Sequence, residues 1–310
     1  MSKNINPSDL GFFSTLISSG NLGGAARELG ITTAAVSKHL SQMEARLGLT
    51  LVNRTTRRMS LTPEGEIYLE HARQILGEID DLESLLWGTT VVPKGLLRVN
   101  ATLGFGRSQI APLISSYTKK YPQVDIQLQL SVNPPPITDD SFDVCFRFGP
   151  PPDSRVIARL IAPNKRIFVA SPSYLKTNGT PKSPEDLTKH NCIGIRQGDE
   201  GYGIWRFHNK QDNSKLIKIR GNLTTNDGEI AVNWALDGHG IVMRAEWDVA
   251  RYIKSGRLIQ VLDNFQTPDA DIYAIYPQRQ KSSARIKSLI DYVVEAFNKE
   301  SLIKQKSIAL

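Results

Sequence analysis

The segment from Leu22 to Gly48 constrains this chain more than any other. Leu22 to Leu29 reads as a short helix in which Ala25, Ala26 and Leu29 can pack closely. Gly30-Ile31-Thr32 is then a tight turn, because Gly30 is free to take a left-handed backbone. Thr33 to Leu47 follows as a longer helix closed by Gly48. Short helices joined by a Gly-containing turn of this length match the helix-turn-helix, which sets its second helix in the major groove of DNA. A helix from Asp9 to Ser18, with Ser8 as the expected N-cap, precedes the pair and offers Leu10, Phe13, Leu16 and Ile17 to its core.

The Thr33–Leu47 helix has two unlike faces. Val36, Leu40, Met43 and Leu47 are spaced four, three and four residues apart, so they share a core-facing side. Thr33 heads the helix, and its other side carries Ala34, Ser37, Lys38, Ser41 and Gln42. Small side chains let a helix sit deep in a groove, while Ser, Gln and Lys reach base edges or phosphates. In an isolated helix the same face would read as merely solvated; the preceding turn favours DNA. Leu49 to Leu61 then reads as two short strands around a basic tip with Arg54, Arg57 and Arg58. Beside a recognition helix this is a wing that grips phosphates or enters the minor groove. The formal net charge of +7 agrees with a polyanionic partner without requiring one.

A long helix follows. Thr62 is its N-cap, Pro63 its first turn, and nothing breaks it before about Leu86. Tyr68, Ala72, Ile75, Ile79, Leu82 and Leu86 recur at intervals of four, three, four, three and four. A seam of that period pairs a helix with another helix, either in a second copy of the chain or in the chain's own domains. A dimer suits DNA, since two recognition helices on two half-sites multiply affinity.

Beyond a linker at Val91–Gly95 the pattern alternates strand and helix, predicting an α/β domain with a largely parallel sheet. Strands are expected at 96–101, 124–130, 144–148, 166–170, 241–244 and 272–276, and helices at 108–119, 230–236 and 283–297. Gly104-Phe105-Gly106-Arg107-Ser108 lies between the first strand and its helix. It lacks the third glycine and the distal acid of a dinucleotide site. Two glycines, helix-start N–H groups, the Ser108 hydroxyl and Arg107 suit capture of a carboxylate, though a tight turn with a surface arginine fits as well. Arg147, on a mostly apolar strand, needs an anionic partner, whether a ligand or the protein's own acid. Asn226 or Asp227 is expected to cap the helix that follows.

Several chemistries find no support. His39, His71, His190, His208 and His239 form no metal signature, and neither a nucleophile elbow nor a P-loop occurs. No cofactor, metal or catalytic residue is therefore assigned, and the chain reads as a non-enzyme. Cys145 and Cys192 read as buried reduced thiols. The polar N-terminus and the lack of a long apolar run place the chain in the cytoplasm, away from the membrane.

The motifs are recognisable together. Gly23-Gly-Ala-Ala-Arg-Glu-Leu-Gly30, Ala35-Val-Ser-Lys38, Met43-Glu-Ala-Arg-Leu-Gly48, Asn53-Arg-Thr-Thr-Arg57 and Leu61-Thr-Pro-Glu-Gly65 resemble the LysR-type transcriptional regulators. Ala34 stands where many members have proline, and Val52 where an aromatic is usual. The resemblance implies a winged helix-turn-helix over 1–62, a dimerisation helix and hinge over 63–93, and an effector domain over 94–310. It further implies two α/β lobes like those of periplasmic solute-binding proteins: lobe I at 94–162 and 270–310, lobe II at 163–269. In the family the long helix forms an antiparallel pair, so a homodimer or homotetramer is expected. Asn164-Lys-Arg166, Gly203-Ile-Trp205, Gly228-Glu-Ile230 and Arg244-Ala-Glu-Trp-Asp248 also resemble a branch that activates tartrate and malate metabolism genes.

The expected function is thus a regulator that binds double-stranded DNA and senses a small molecule, a carboxylate, between its lobes. Gly104, Phe105, Gly106, Arg107, Ser108 and Arg147 would hold it from lobe I, with Trp205, Asn226 and Gly228 from lobe II. The alternative is a two-lobed binding protein or enzyme of the same fold with no regulatory role.

Overall fold

The structure, a computed structural model, describes residues 5–54, 59–87, 92–133, 142–149, 156–196, 203–208 and 214–308. The N-terminal unit comprises α1 (Pro7–Ser18), α2 (Leu22–Leu29), α3 (Thr33–Leu47), β1 (Val52–Arg54), β2 (Met59–Leu61) and α4 (Pro63–Trp87). α1 starts earlier than its sequence suggests. Asn6, not Ser8, caps it, accepting a hydrogen bond from the Ser8 N–H at 3.2 Å, and Pro7 fills the first turn. Gly30 closes α2 with a φ of 67°, and Thr32 caps α3 by accepting from the Ala35 N–H at 3.2 Å.

Phe13, Leu16, Ala25, Val36, Leu40 and Met43 form the buried centre, joined by Leu51 and Val52 from the wing. Each large apolar side chain withdrawn from water contributes about 1.5–3 kcal/mol, so this small unit is held chiefly by that cluster. β1 and β2 pair antiparallel, with Val52 opposite Leu61.

The expected seam of α4 divides in two. Tyr68 packs edge-on to Phe13 at 5.2 Å and Ala72 is buried, so the first part of the helix belongs to its own domain. Ile75, Ile79, Leu82 and Leu86 remain exposed.

The second unit opens with β3 (Gly95–Thr102). α5 (Leu103–Phe105), one π-helical turn (Gly106–Ile110) and α6 (Ala111–Lys120) follow as a continuous helical run. Next come β4 (Val124–Ser131), β5 (Val144–Phe148) and β6 (Val156–Ala162). The chain then builds β7 (Arg166–Ala170), α7 (Pro172–Asn178), β8 (Cys192–Ile195), β9 (Ile204–His208), β10 (Ser214–Lys218) and β11 (Thr224–Thr225). After these come α8 (Gly228–Leu236), β12 (Ile241–Ala245), α9 (Glu246–Lys254) and β13 (Ile259–Val261). It returns through β14 (Ile272–Pro277) and ends in α10 (Ala284–Ile308).

Two five-stranded sheets result, in the orders β4-β3-β5-β14-β6 and β11-β8-β12-β7-β13. They are mixed rather than largely parallel. β3 runs parallel to β5 and β8 to β12, whereas β14 opposes both its neighbours, and so does β7. β7 is the first strand of its sheet and β14 the last of the other, and each follows directly on a crossing between the lobes. The two crossings are tied together: Asn164 donates from its backbone N–H to Asp271 and from Nδ2 to the Ala270 carbonyl, both at 2.9 Å.

Cys145 and Cys192 are free and buried, and burial pushes both thiols up to about 12. Among the described residues no helix is long and apolar enough to cross a membrane, and no cluster of His, Cys, Asp or Glu could hold a metal.

Candidate functional site

The face of α3 opposite the core is open. Thr33, Ala34, Lys38, Ser41 and Gln42 are exposed and Ser37 is half-buried, with the Ser41 hydroxyl donating to the Ser37 carbonyl at 3.0 Å. α3 is fixed from beneath by a buried carboxylate that the sequence reading did not single out. Asp9, only 2 % exposed, is hydrogen-bonded to His39 Nε2 at 2.9 Å and paired with Arg46, both on α3. His39 also stacks on Phe12 at 3.9 Å. Of Arg54 only the backbone, at the end of β1, is described; Arg57 and Arg58 lie outside the described residues.

The second unit holds a cleft of about 310 Å³, lined from both sheets. Of the residues the sequence offers for an effector, Gly104, Phe105, Arg147, Trp205 and Gly228 line this cleft, and Gly106, Arg107, Ser108 and Asn226 do not. The reason is the helix start. The helical run begins at Leu103, straight after β3, not at Ser108. Residues 106–108 therefore lie inside a helical turn instead of in a loop facing a ligand. Gly106 is buried, and a Cβ there would strike Leu130 and Ala101, so its glycine serves packing. The Ser108 hydroxyl donates back to the Gly104 carbonyl at 2.8 Å, and Asn226 is exposed.

Arg107 points to protein acids. It pairs with Asp227 at 3.1 Å and Glu229 at 3.4 Å, at the start of α8 on the other lobe, and so bridges the lobes. Asp227 meanwhile caps α8, accepting from the N–H groups of Glu229 at 2.7 Å and Ile230 at 3.3 Å. Burial works against its ionised form, but these N–H groups and the Arg107 guanidinium outweigh that and hold its carboxyl below the usual range. A carboxyl lowered this way contributes fully above its ordinary value and loses that contribution only as pH falls through the lowered one. The bridge is therefore intact at neutral pH.

The cleft itself is cationic. Its charged lining residues among those described are Arg147, Arg166 and Arg244, with no carboxylate in the lining. Three buried donors facing this region have no hydrogen-bond partner among the described residues: Thr102 Oγ1, Arg147 Nε and Trp247 Nε1. Buried polar groups are normally satisfied, and each left without a partner costs about 1–3 kcal/mol. Arg166, Arg244 and Trp247 were not singled out individually in the sequence. The four-residue spacing of Arg244 and Asp248 is the signal that could have marked that pair.

Residues 7–66 match the model of the bacterial regulatory helix-turn-helix protein of the lysR family, and residues 91–298 match the LysR substrate binding domain. The chain belongs to the LysR family. DmlR of Escherichia coli K12, an HTH-type transcriptional regulator, is 35% identical over 289 residues, covering 93% of this chain and 94% of the relative. The transcriptional activator TtdR of the same strain is 34% identical over 285 residues, covering 92% and 91%. Among solved structures, the LysR-type regulator CrgA of Neisseria meningitidis matches with TM-score 0.59 and 31% identity, covering 94% of this chain and 99% of that one. This LysR protein is thus a DNA-binding transcriptional regulator with an effector-binding domain, and its matched relatives are regulators rather than enzymes.

Proposed function

We propose that this regulator senses a small carboxylate, a short dicarboxylic acid of the tartrate or malate type, in the cleft between its lobes. The observation that carries the reading is the cleft lining among the described residues: three arginines, no carboxylate, and unsatisfied donors at Thr102, Arg147 and Trp247. Arg147 is the lobe I anchor, with Gly104 and Phe105 at its side and Trp205 and Gly228 opposite. Arg107 and Ser108 leave the anchor set, because both are engaged by the protein itself. A volume near the lower end for small-molecule sites suits a metabolite of this size. A carboxylate at 100 times its dissociation constant should stabilise the fold by about 2.7 kcal/mol. Melting curves with succinate, D-malate, tartrate and aromatic acids measure this on the wild type and on Arg147→Gln. If none shifts the wild-type melt at millimolar concentration, the carboxylate reading fails.

The DNA side of the proposal divides by contact type. Thr33, Ala34, Ser37, Lys38, Ser41 and Gln42 face the major groove, and Ser37 and Lys38 set sequence preference. Arg54, Arg57 and Arg58 on the wing supply mainly electrostatic affinity. Removing one phosphate contact lowers the slope of log K against log salt by about 0.9. Arg57→Ala is expected to show that change in an operator-binding salt titration; an unchanged slope at unchanged affinity would take the residue out of the interface. The acting species is a homodimer or homotetramer in the cytoplasm, where its DNA is.

A further inference from the structure

Arg244 is the last lysine- or arginine-type charge before α9, and its surroundings are unusual for a basic side chain. It ends β12, lines the cleft, and its side chain is only 11% exposed. Nε and Nη2 both donate to one oxygen of Asp248, at 2.8 and 2.5 Å, and no acceptor among the described residues is bonded to Nη1. The guanidinium lies against the first turn of α8. A Cβ on Gly228 would overlap Cζ and both terminal nitrogens, so this approach requires glycine.

The placement runs against electrostatic expectation. A helix N-terminus carries partial positive charge and favours anions, yet here a guanidinium is packed onto it. Asp227 and Asp248 compensate in part: Asp227 is shared with the α8 N–H groups and Arg107, while one oxygen of Asp248 takes both Nε and Nη2 of Arg244. An anion beside Arg244 would relieve the remainder. In the next turn of chain Trp247 adds a buried Nε1 with no acceptor among the described residues, its ring parallel to Phe148 at 6.5 Å and inclined to Phe105 at 5.5 Å. Among the described residues Thr102 and Arg147 present unsatisfied donors from lobe I, and Trp247 presents one from lobe II, where Arg244 also lines the cleft.

We infer that Arg244 is a second anion anchor, supplied by lobe II, which makes the cleft select a short dianion over a monoanion. Gly228 is the positioning residue that lets its guanidinium lie at the cleft. This rests on the carboxylate reading above. One carboxylate meets Arg147 and the other meets Arg244 Nη1, so only a ligand charged at both ends draws on both lobes.

Succinate and butyrate make the test, since they share a four-carbon chain and differ by one carboxylate. Calorimetric titration of the full chain is expected to show succinate preferred at least tenfold by wild type. Arg244→Gln should bring that ratio near one while butyrate affinity stays within about threefold, because Arg147 is intact. Gly228→Ala should lose the ratio too, although Arg244 is still present. Unchanged operator binding and ligand-free melting establish that each variant is folded; if Arg244→Gln is not, Gly228→Ala and Arg244→Lys carry the comparison. Wild type binding neither acid, or both equally, overturns this inference, while the melting screen that includes D-malate and tartrate decides the carboxylate reading by itself. Wild type preferring succinate, with the variants keeping that preference, overturns the role of Arg244 alone.

Discussion

Asp9→Ala is expected to destabilise the DNA-binding unit by about 3 kcal/mol, and to lower operator affinity with it. Asp9 is almost wholly withdrawn from water, and its two oxygens are engaged separately, one by His39 and one by Arg46. Breaking a buried pair by deleting one partner typically costs 3–5 kcal/mol, because the other charge loses its compensation. The low end applies here, since His39 and Arg46 each keep about a third of their side-chain surface in solvent. The consequence reaches DNA because both partners lie on α3 while Asp9 lies on α1. Without that tie the recognition helix keeps its apolar contacts through Val36, Leu40 and Met43 but loses the polar clamp on its outer edge. Denaturant unfolding followed beside operator titration checks this. An Asp9→Ala protein that unfolds at the wild-type midpoint would show that the carboxylate contributes nothing net.

The parts of this molecule that could be read from its sequence are those governed by local rules. The helix spacing of Val36, Leu40 and Met43, the Gly30 turn and the Thr62 cap depend on neighbours a few residues away, and each is found where those rules put it. Arg107 falls outside such rules. Gly104-x-Gly106 imitates an anion-binding loop, but Leu103 begins the helix at once, and Asp227, its partner, lies 120 residues on. No local pattern announces a pairing over that distance. Arg244 appears in the sequence only within the Arg244–Asp248 motif, because its place at the cleft depends on Gly228, which lies on another element. The edge strand β6 and the β9–β10 hairpin went unpredicted as well. In β9 and β10 buried Trp205, Phe207 and Ile217 alternate with exposed residues, but two of those, Ile204 and Leu216, are apolar and blur the pattern, and the short runs carry no tight-turn dipeptide between them.

Replacing Ile79 by glutamate should convert the wild-type assembly to monomers or smaller species. Ile75, Ile79, Leu82 and Leu86 are 40%, 41%, 55% and 67% exposed in the single chain. Their spacing of four, three and four residues makes one continuous apolar stripe along the outer part of α4. The inner part of the expected seam, Tyr68 and Ala72, is already used within its own domain, so the pairing surface is confined to this stripe. An apolar row of that length left in water is unfavourable, and a second copy of α4 is the surface that matches its spacing. In the paired state each Ile79→Glu chain would bury a carboxylate with no cation beside it, at a cost of several kcal/mol. Every 1.4 kcal/mol is tenfold in the dissociation constant, so a loss of at least about a hundredfold is expected. Sedimentation velocity across a dilution series measures it, with Ile79→Leu as the apolar control. Two half-sites can be held at once only by a dimer, so the same variant should lose operator affinity while α3 remains folded. A glutamate variant that sediments like wild type would mean that the stripe does not form the interface, and the assembly would have to be built from another surface.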